Sequence, residues 1–222
     1  MRCFVFLWTA VFAFGVLVTP AQAHPHEFID TAITFRFDDQ NKLGAIGVVW
    51  VWDDLTSMLI VEDSGIDSDG DGALTPEEKV QLVEIFSQWP ADFAGDLYIS
   101  KNGKPVQLSG PLDMTVDLRD GRVVVHYLRA LMDRQSLDDG PVSLQVYDPT
   151  YYAFYDLSGT PEVVGRSDCT VEIQKADIAA AQKIYDQLLS QLTDEDIMTE
   201  GKYPEVGGVF ADEVRLACGA QP

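Results

Sequence analysis

Twelve consecutive residues carry the clearest chemistry in this chain, running Asp67-Ser68-Asp69-Gly70-Asp71-Gly72-Ala73-Leu74-Thr75-Pro76-Glu77-Glu78. Calcium is a hard ion that takes oxygen ligands in a flexible shell, and EF-hand loops meet that need with a fixed twelve-position pattern. Asp67, Asp69 and Asp71 fill positions 1, 3 and 5 and bring carboxylates from one side. Gly72 at position 6 permits the sharp turn, and Ala73 at position 7 offers its carbonyl. Thr75 at position 9 coordinates directly or through water, and Glu78 at position 12 closes the shell with both oxygens. A merely solvated acidic turn would not need Gly72, Leu74 and Glu78 in register. The chain has one such loop, whereas sensor loops work in pairs. The expected site is therefore structural, with an affinity of ~10⁻⁴–10⁻³ M.

Nitrogen donors form a second candidate group. The chain has three histidines, His24, His26 and His126. With cleavage after Ala23, His24 begins the processed chain, and its free amine and ring chelate one metal together. His26 or His126 then adds a further imidazole. Such a set suits zinc, nickel, cobalt or copper rather than calcium. Pro25 lacks an amide proton, which excludes a copper site built from successive deprotonated amides. Against this stand the frequent disorder of chain termini and the position of His126 between Val124 and Leu128, where it reads equally as a satisfied core histidine.

Cys3 lies in the first 23 residues, which leaves Cys169 and Cys218. An even count in an oxidising compartment implies a disulfide, here closing a loop worth about 4 kcal/mol in the chain-entropy model. A metal site at these cysteines is the weaker reading, because no pair has CxxC spacing.

Elements that must hold these groups follow from periodicity. Residues 27–37 alternate, with Ile29, Ile33, Phe35 and Phe37 on one face. Turn material at Asp38–Asn41 leads to a second apolar strand, Leu43–Trp52, so the two should form a hairpin. The period then switches. Leu55, Met58 and Leu59 share one helical face, the acidic loop follows, and Thr75-Pro76-Glu77-Glu78 reads as a capped helix start. Leu82, Ile85, Phe86 and Trp89 make the second helix amphipathic, which gives a helix–loop–helix over residues 53–89 inserted between strands. Asn102-Gly103, between strands Leu97–Ser100 and Pro105–Leu108, and Asp120-Gly121, between strands Met114–Leu118 and Arg122–Leu128, mark two further hairpins. Short strands at 142–147, 151–157 and 169–173, a late helix over Ala176–Leu192 and an ending around Val209–Leu216 complete the reading. The expected fold is mainly β, a β-sandwich with that insertion and a late C-terminal helix, in one domain over residues 24–222.

Arg2, the apolar run Phe4–Val18 and Ala21-Gln22-Ala23 read as a cleavable export signal over residues 1–23. The expected location is periplasmic, with no membrane insertion after cleavage. The whole chain has 36 acidic and 15 basic residues, a formal net charge of −21. Removing Arg2 brings that to −22. A surface this negative repels phosphate backbones, so nucleic acid is not an expected partner, and it attracts cations.

Several segments taken in order resemble a known family: His24–Asp30, Asp67–Glu78, Lys101–Pro105, Val146–Tyr152, and Cys169 with Phe210-Ala211 and Cys218. That family is a domain of unknown function described as the periplasmic component of an uncharacterised ABC-type transport system, found beside nickel/cobalt transporters. The resemblance implies transition-metal handling next to an inner-membrane metal transporter. The leading expectation is a periplasmic metal-binding accessory protein with a structural calcium site. Two alternatives are a calcium-stabilised interaction module with no transition-metal role and a copper-dependent oxidase using the N-terminal histidine. The chain has no GxSxG elbow, HExxH, phosphate-cradling glycine loop or CxxC pair, so no enzyme is expected. Tyr147–Tyr152 matches the family without a chemical role, as an aromatic strand entering a turn.

Overall fold

A computed structural model describes residues 25–91, 93–193, 195–196 and 203–219. The expected export signal over residues 1–23 and His24 lie outside the described residues. Among the described residues eleven strands form two sheets. The first contains β1 (Glu27–Phe37), β2 (Leu43–Trp52), β5 (Leu112–Arg119), β6 (Arg122–Gln135), β8 (Ala153–Leu157) and β9 (Glu162–Val164), in the order β5-β6-β2-β1-β8 with β9 also on β1. The second contains β3 (Leu97–Lys101), β4 (Lys104–Pro105), β7 (Val142–Val146), β10 (Cys169–Gln174) and β11 (Glu213–Cys218), in the order β10-β11-β7-β3-β4. The helices are α1 (Asp54–Ser64), α2 (Pro76–Ser87), α3 (Ile178–Leu189) and the short α4 (Gly207–Phe210). The expected mainly-β sandwich is what forms, late helix included.

The sheets pack through alternating side chains. Ile29, Ile33 and Phe35 of β1, Ile46, Val48 and Trp50 of β2, and Val123, Val125 and Tyr127 of β6 meet Leu97, Ile99, Leu144, Val214 and Leu216 of the second sheet in one core. β1 and β2 form the expected antiparallel hairpin, closed by Asp38, whose carboxylate accepts from the amides of Gln40 and Lys42. Both residues of Asn102-Gly103 and of Asp120-Gly121 take positive φ, as tight hairpin turns require. β8 and β9 run parallel to β1, pairings that periodicity alone did not reveal.

A second, smaller core joins Tyr151, Ala181, Tyr185, Val206 and Phe210, with Tyr151 stacked on Phe210 at 3.7 Å. The Asp148 carboxylate anchors this corner by accepting from the amides of Thr150, Tyr152 and Ala153 and from the Thr150 hydroxyl. The Tyr147–Tyr152 stretch is thus occupied in structure, since four donors converge on one turn.

Candidate functional site

Helix α1 begins where β2 ends. Asp53 caps it by accepting from Thr56 N, and its other oxygen accepts from Phe28 N at 3.0 Å, which pins the helix start to β1. Ser57 is fully buried, and its hydroxyl accepts from Val123 N at 3.0 Å, satisfying an amide at the start of β6. Gly65 ends α1 in the left-handed conformation. Helix α2 starts with the expected capping box: Thr75 and Glu78 satisfy each other's backbone amides behind Pro76. Ile66 and Leu74, at either end of the loop, and Leu82 of α2 enter the main core. These three apolar anchors hold the acidic turn against the sandwich.

Within the loop, ligand oxygens of Asp67, Asp69 and Asp71 lie within 4.8 Å of one another. Asp67 accepts from Gly72 N at 3.2 Å, and Asp71 accepts from Ala73 N at 2.8 Å. Gly72 takes φ +77, the left-handed region its position demands. Glu78 lies across the loop, accepting from Asp67 N at 2.7 Å and from Thr75 N at 2.9 Å. The Thr75 hydrogen bonds, foremost the one from its amide, hold the Glu78 carboxyl below its ordinary range, so it stays ionised in mildly acidic solution. Three clustered carboxylates and a fourth at the loop's end repel one another. A divalent cation would relieve that repulsion, with Asp67, Asp69, Asp71, the Ala73 carbonyl, Thr75 and Glu78 as the residues to hold it.

The histidines are placed differently from the expectation. His26 is exposed at the start of β1, where its amide donates to Tyr152 O and its ring stacks on Tyr152 at 4.9 Å. His126 lies on the outer face of β6, paired with Val49 of β2 and Thr115 of β5 and 3.4 Å from the Arg119 guanidinium. Partial burial and Arg119 push its pKa down. Ala32 is the β1 residue in register with Val49, so His26 sits six residues along β1 from the level of His126. At strand rise that is about 20 Å. The two described imidazoles therefore do not share an ion, which corrects the three-histidine set. The reason is register: spacing fixes a strand's face but not its offset from a distant strand. His126 is also not a core histidine, because the inward positions of β6 are Val123, Val125 and Tyr127.

Cys169 and Cys218 form the expected disulfide, joining β10 to its neighbour β11 where the two residues stand directly opposite. Among the described residues no helix is long and apolar enough to cross a membrane.

A two-sheet sandwich with a helix–loop–helix between its second and third strands is thus the class to which the molecule belongs. The family model described as "Protein of unknown function (DUF1007)" matches residues 9–218, and the chain belongs to that family. An "Uncharacterized protein" of Haemophilus influenzae is 28% identical over 157 residues, covering 68% of this chain and 69% of the relative. Among solved structures, an acetylcholine-binding protein type 1 of Biomphalaria glabrata aligns over 91% of this chain and 89% of its own, at 10% identity and a TM-score of 0.38.

Proposed function

We propose that the protein is an exported, calcium-stabilised interaction module, with calcium at Asp67, Asp69, Asp71, Ala73, Thr75 and Glu78. The observation that carries the reading is the convergence of the three aspartate carboxylates within 4.8 Å on a loop flanked by helices on both sides. The ion braces the hairpin. Its partner surface is α1, whose outward stripe Leu55, Met58 and Leu59 is 61%, 54% and 46% exposed. Beside it runs a groove of about 480 Å³ lined by Leu59, Ile85, Phe86 and Tyr152, with Glu27 and Asp63 at its rim. Burying a Leu or Met side chain stabilises by about 1.5–3 kcal/mol, so three left in water on one stripe point to a docking face. The acidic rim and the −21 net charge oppose a second copy or an anionic membrane and favour a cationic, amphipathic partner segment.

Calorimetric or fluorescence melting tests the calcium site. At calcium ten times Kd, binding to the folded state alone contributes about 1.4 kcal/mol, a rise of roughly 3–6 °C in Tm for a chain of this size. Glu78→Gln should abolish the rise. Equal melting curves with calcium and with chelator would end the reading.

A second reading keeps the transition-metal role beside an inner-membrane transporter. It is supported by exposed His26, two residues after His24 in sequence and beside Glu27, whose carboxyl burial raises above its ordinary range. Nickel, cobalt, zinc and copper titrations of processed protein and of His26→Ala separate it from the first, because the calcium loop lacks nitrogen donors.

A further inference from the structure

Glu27 opens β1 on the row that carries Ile29, Thr31, Ile33 and Phe35 into the core. A carboxylate therefore stands where the inward alternation calls for an apolar side chain, and it is half-buried. Two residues on, Ile29 pairs with Trp52 of β2, and the Trp52 indole N–H donates to the Glu27 carboxylate. The Trp52 ring in turn lies 5.1 Å from the Phe86 ring of α2. Glu27 and Phe86 thus meet the same indole on the inner side of the first sheet, and both line the groove of about 480 Å³ beside α1.

Among the described residues Glu27 takes part in none of the ion pairs. Burial raises its pKa above the ordinary carboxylate value; the Trp52 hydrogen bond opposes the rise, and the Asp53 and Asp148 charges add to it. His26, exposed and stacked on Tyr152, offsets those charges in part. Away from Glu27, the groove is walled by Leu55, Leu59 and Ile60 of α1 and by Ile85 and Phe86 of α2. An apolar trough with an unpaired carboxylate at its β1 rim matches a methylene stem that ends in one positive head.

We propose that the β1 rim of this groove is a subsite for a primary alkylammonium, the lysine head of the docking segment, with Glu27 as its counter-ion. The link to a partner's lysine rests on the docking reading above; the subsite itself rests on Glu27, Trp52 and Phe86. With the Trp52 indole already on the carboxylate, the remaining approach suits the compact point charge of an ammonium. A guanidinium fork, which takes both oxygens side by side, fits it less well. Anions are repelled by Glu27, Asp53 and Asp148 together, and a neutral head leaves the carboxylate without a partner charge.

NMR titration of the whole processed protein with hexylamine, hexanol and hexylguanidine tests the subsite, read at the Trp52 indole N–H resonance. The three probes share one apolar stem and differ only in the head. Hexylamine should move that resonance and bind about tenfold more tightly than hexanol and about threefold more tightly than hexylguanidine. Glu27→Gln keeps the shape and an acceptor for the indole, so it should keep the parent melting temperature and bind hexylamine no better than hexanol. Asp63→Asn, at the exposed rim, should keep the preference for the amine. The proposal is overturned by hexylamine binding no tighter than hexanol, by hexylguanidine binding as tightly as hexylamine, or by saturation without movement of the Trp52 resonance. Amine preference that survives in folded Glu27→Gln, or that is lost in Asp63→Asn, overturns it equally. These outcomes leave docking at the α1 stripe untouched, and loss of docking there leaves the amine preference at Glu27 untouched.

Discussion

The Tyr155 hydroxyl donates to the Asp96 carboxylate at 2.7 Å, joining β8 of one sheet to the residue that opens β3 of the other. Asp96 is 7% exposed, and its carboxylate meets the Tyr155 hydroxyl rather than a cation. Burial pushes its pKa up from 3.8 to about 7; the Tyr155 hydrogen bond opposes the shift and Asp148 adds to it.

The sign of the pH dependence follows. Between those two values the folded state binds the Asp96 proton more tightly than the unfolded chain does. Its contribution to stability is fully present below the unfolded pKa and is lost as pH rises towards about 7. Linkage sets about 4 kcal/mol as the upper size of the effect. Asp96→Asn, which cannot ionise, should therefore gain on the parent protein as pH rises from about 5 to about 8. Urea midpoints at both pH values measure this. A variant whose deficit is the same at both would show that Asp96 does not titrate in that window.

Gly95, next in the chain, is held by a different constraint. It takes φ +69, and a Cβ there would lie 2.3 Å from Arg129 Nη1 and 2.5 Å from the Trp89 ring. Gly121, in the β5–β6 turn, also has positive φ (+79), but a Cβ there meets nothing within 4 Å. The left-handed conformation alone costs a non-glycine residue about 1–2 kcal/mol. Gly121→Ala should lose about that much, and Gly95→Ala clearly more, because a packed ring and guanidinium must also move. Chemical denaturation of the two variants gives the comparison directly. Equal losses would mean that Trp89 and Arg129 yield without cost.

The parts of this molecule that were legible in sequence are those fixed by neighbours along the chain. The capping box at Thr75–Glu78, the turns at Asn102-Gly103 and Asp120-Gly121, and the alternation of β1 each declare themselves within a few residues. Long-range relations did not. His126 and His26 were linked by chemistry and parted by strand register. Leu55, Met58 and Leu59 were seen to share a face, but periodicity cannot say whether a face meets the core or water. Arg129 escaped notice because the expected strand stopped at Leu128, whereas β6 runs on to Gln135. An arginine just past a strand reads as solvent-facing until the strand is known to continue inwards. Asp96, in a turn before β3, is disguised in the same way.

The Cys169–Cys218 bond ties together β10 and β11, and among the described residues β10 has only β11 as a sheet neighbour. Residues 170–217, closed off by the bond, include α3 and α4 and so the second-core residues Ala181, Tyr185, Val206 and Phe210. Replacing both cysteines by serine should destabilise the protein by up to about 4 kcal/mol on the chain-entropy estimate. The effect should show first as faster amide exchange in β10 rather than in β1 or β2, which have partners on both sides. Uniform acceleration across both sheets would instead mean that the bond supports the whole sandwich.

The exposed stripe on α1 makes opposite demands on stability and on binding, and that opposition is testable. Leu55, Met58 and Leu59 contribute little to the core, since Thr56 and Ser57 are the buried residues of this helix. Changing all three to Gln should leave the folding free energy within about 1.5 kcal/mol of the parent, because exposed substitutions each move it by roughly 0.5 kcal/mol or less. The same triple change should abolish binding of a synthetic amphipathic helix with lysines on its polar face, measured by fluorescence anisotropy. Acidic residues at the groove rim, Glu27 and Asp63, should make that binding weaken with added salt. A triple variant that binds the peptide as well as the parent would remove α1 as the docking face. One that unfolds would mean instead that the stripe serves the fold, and the docking reading would fall with it.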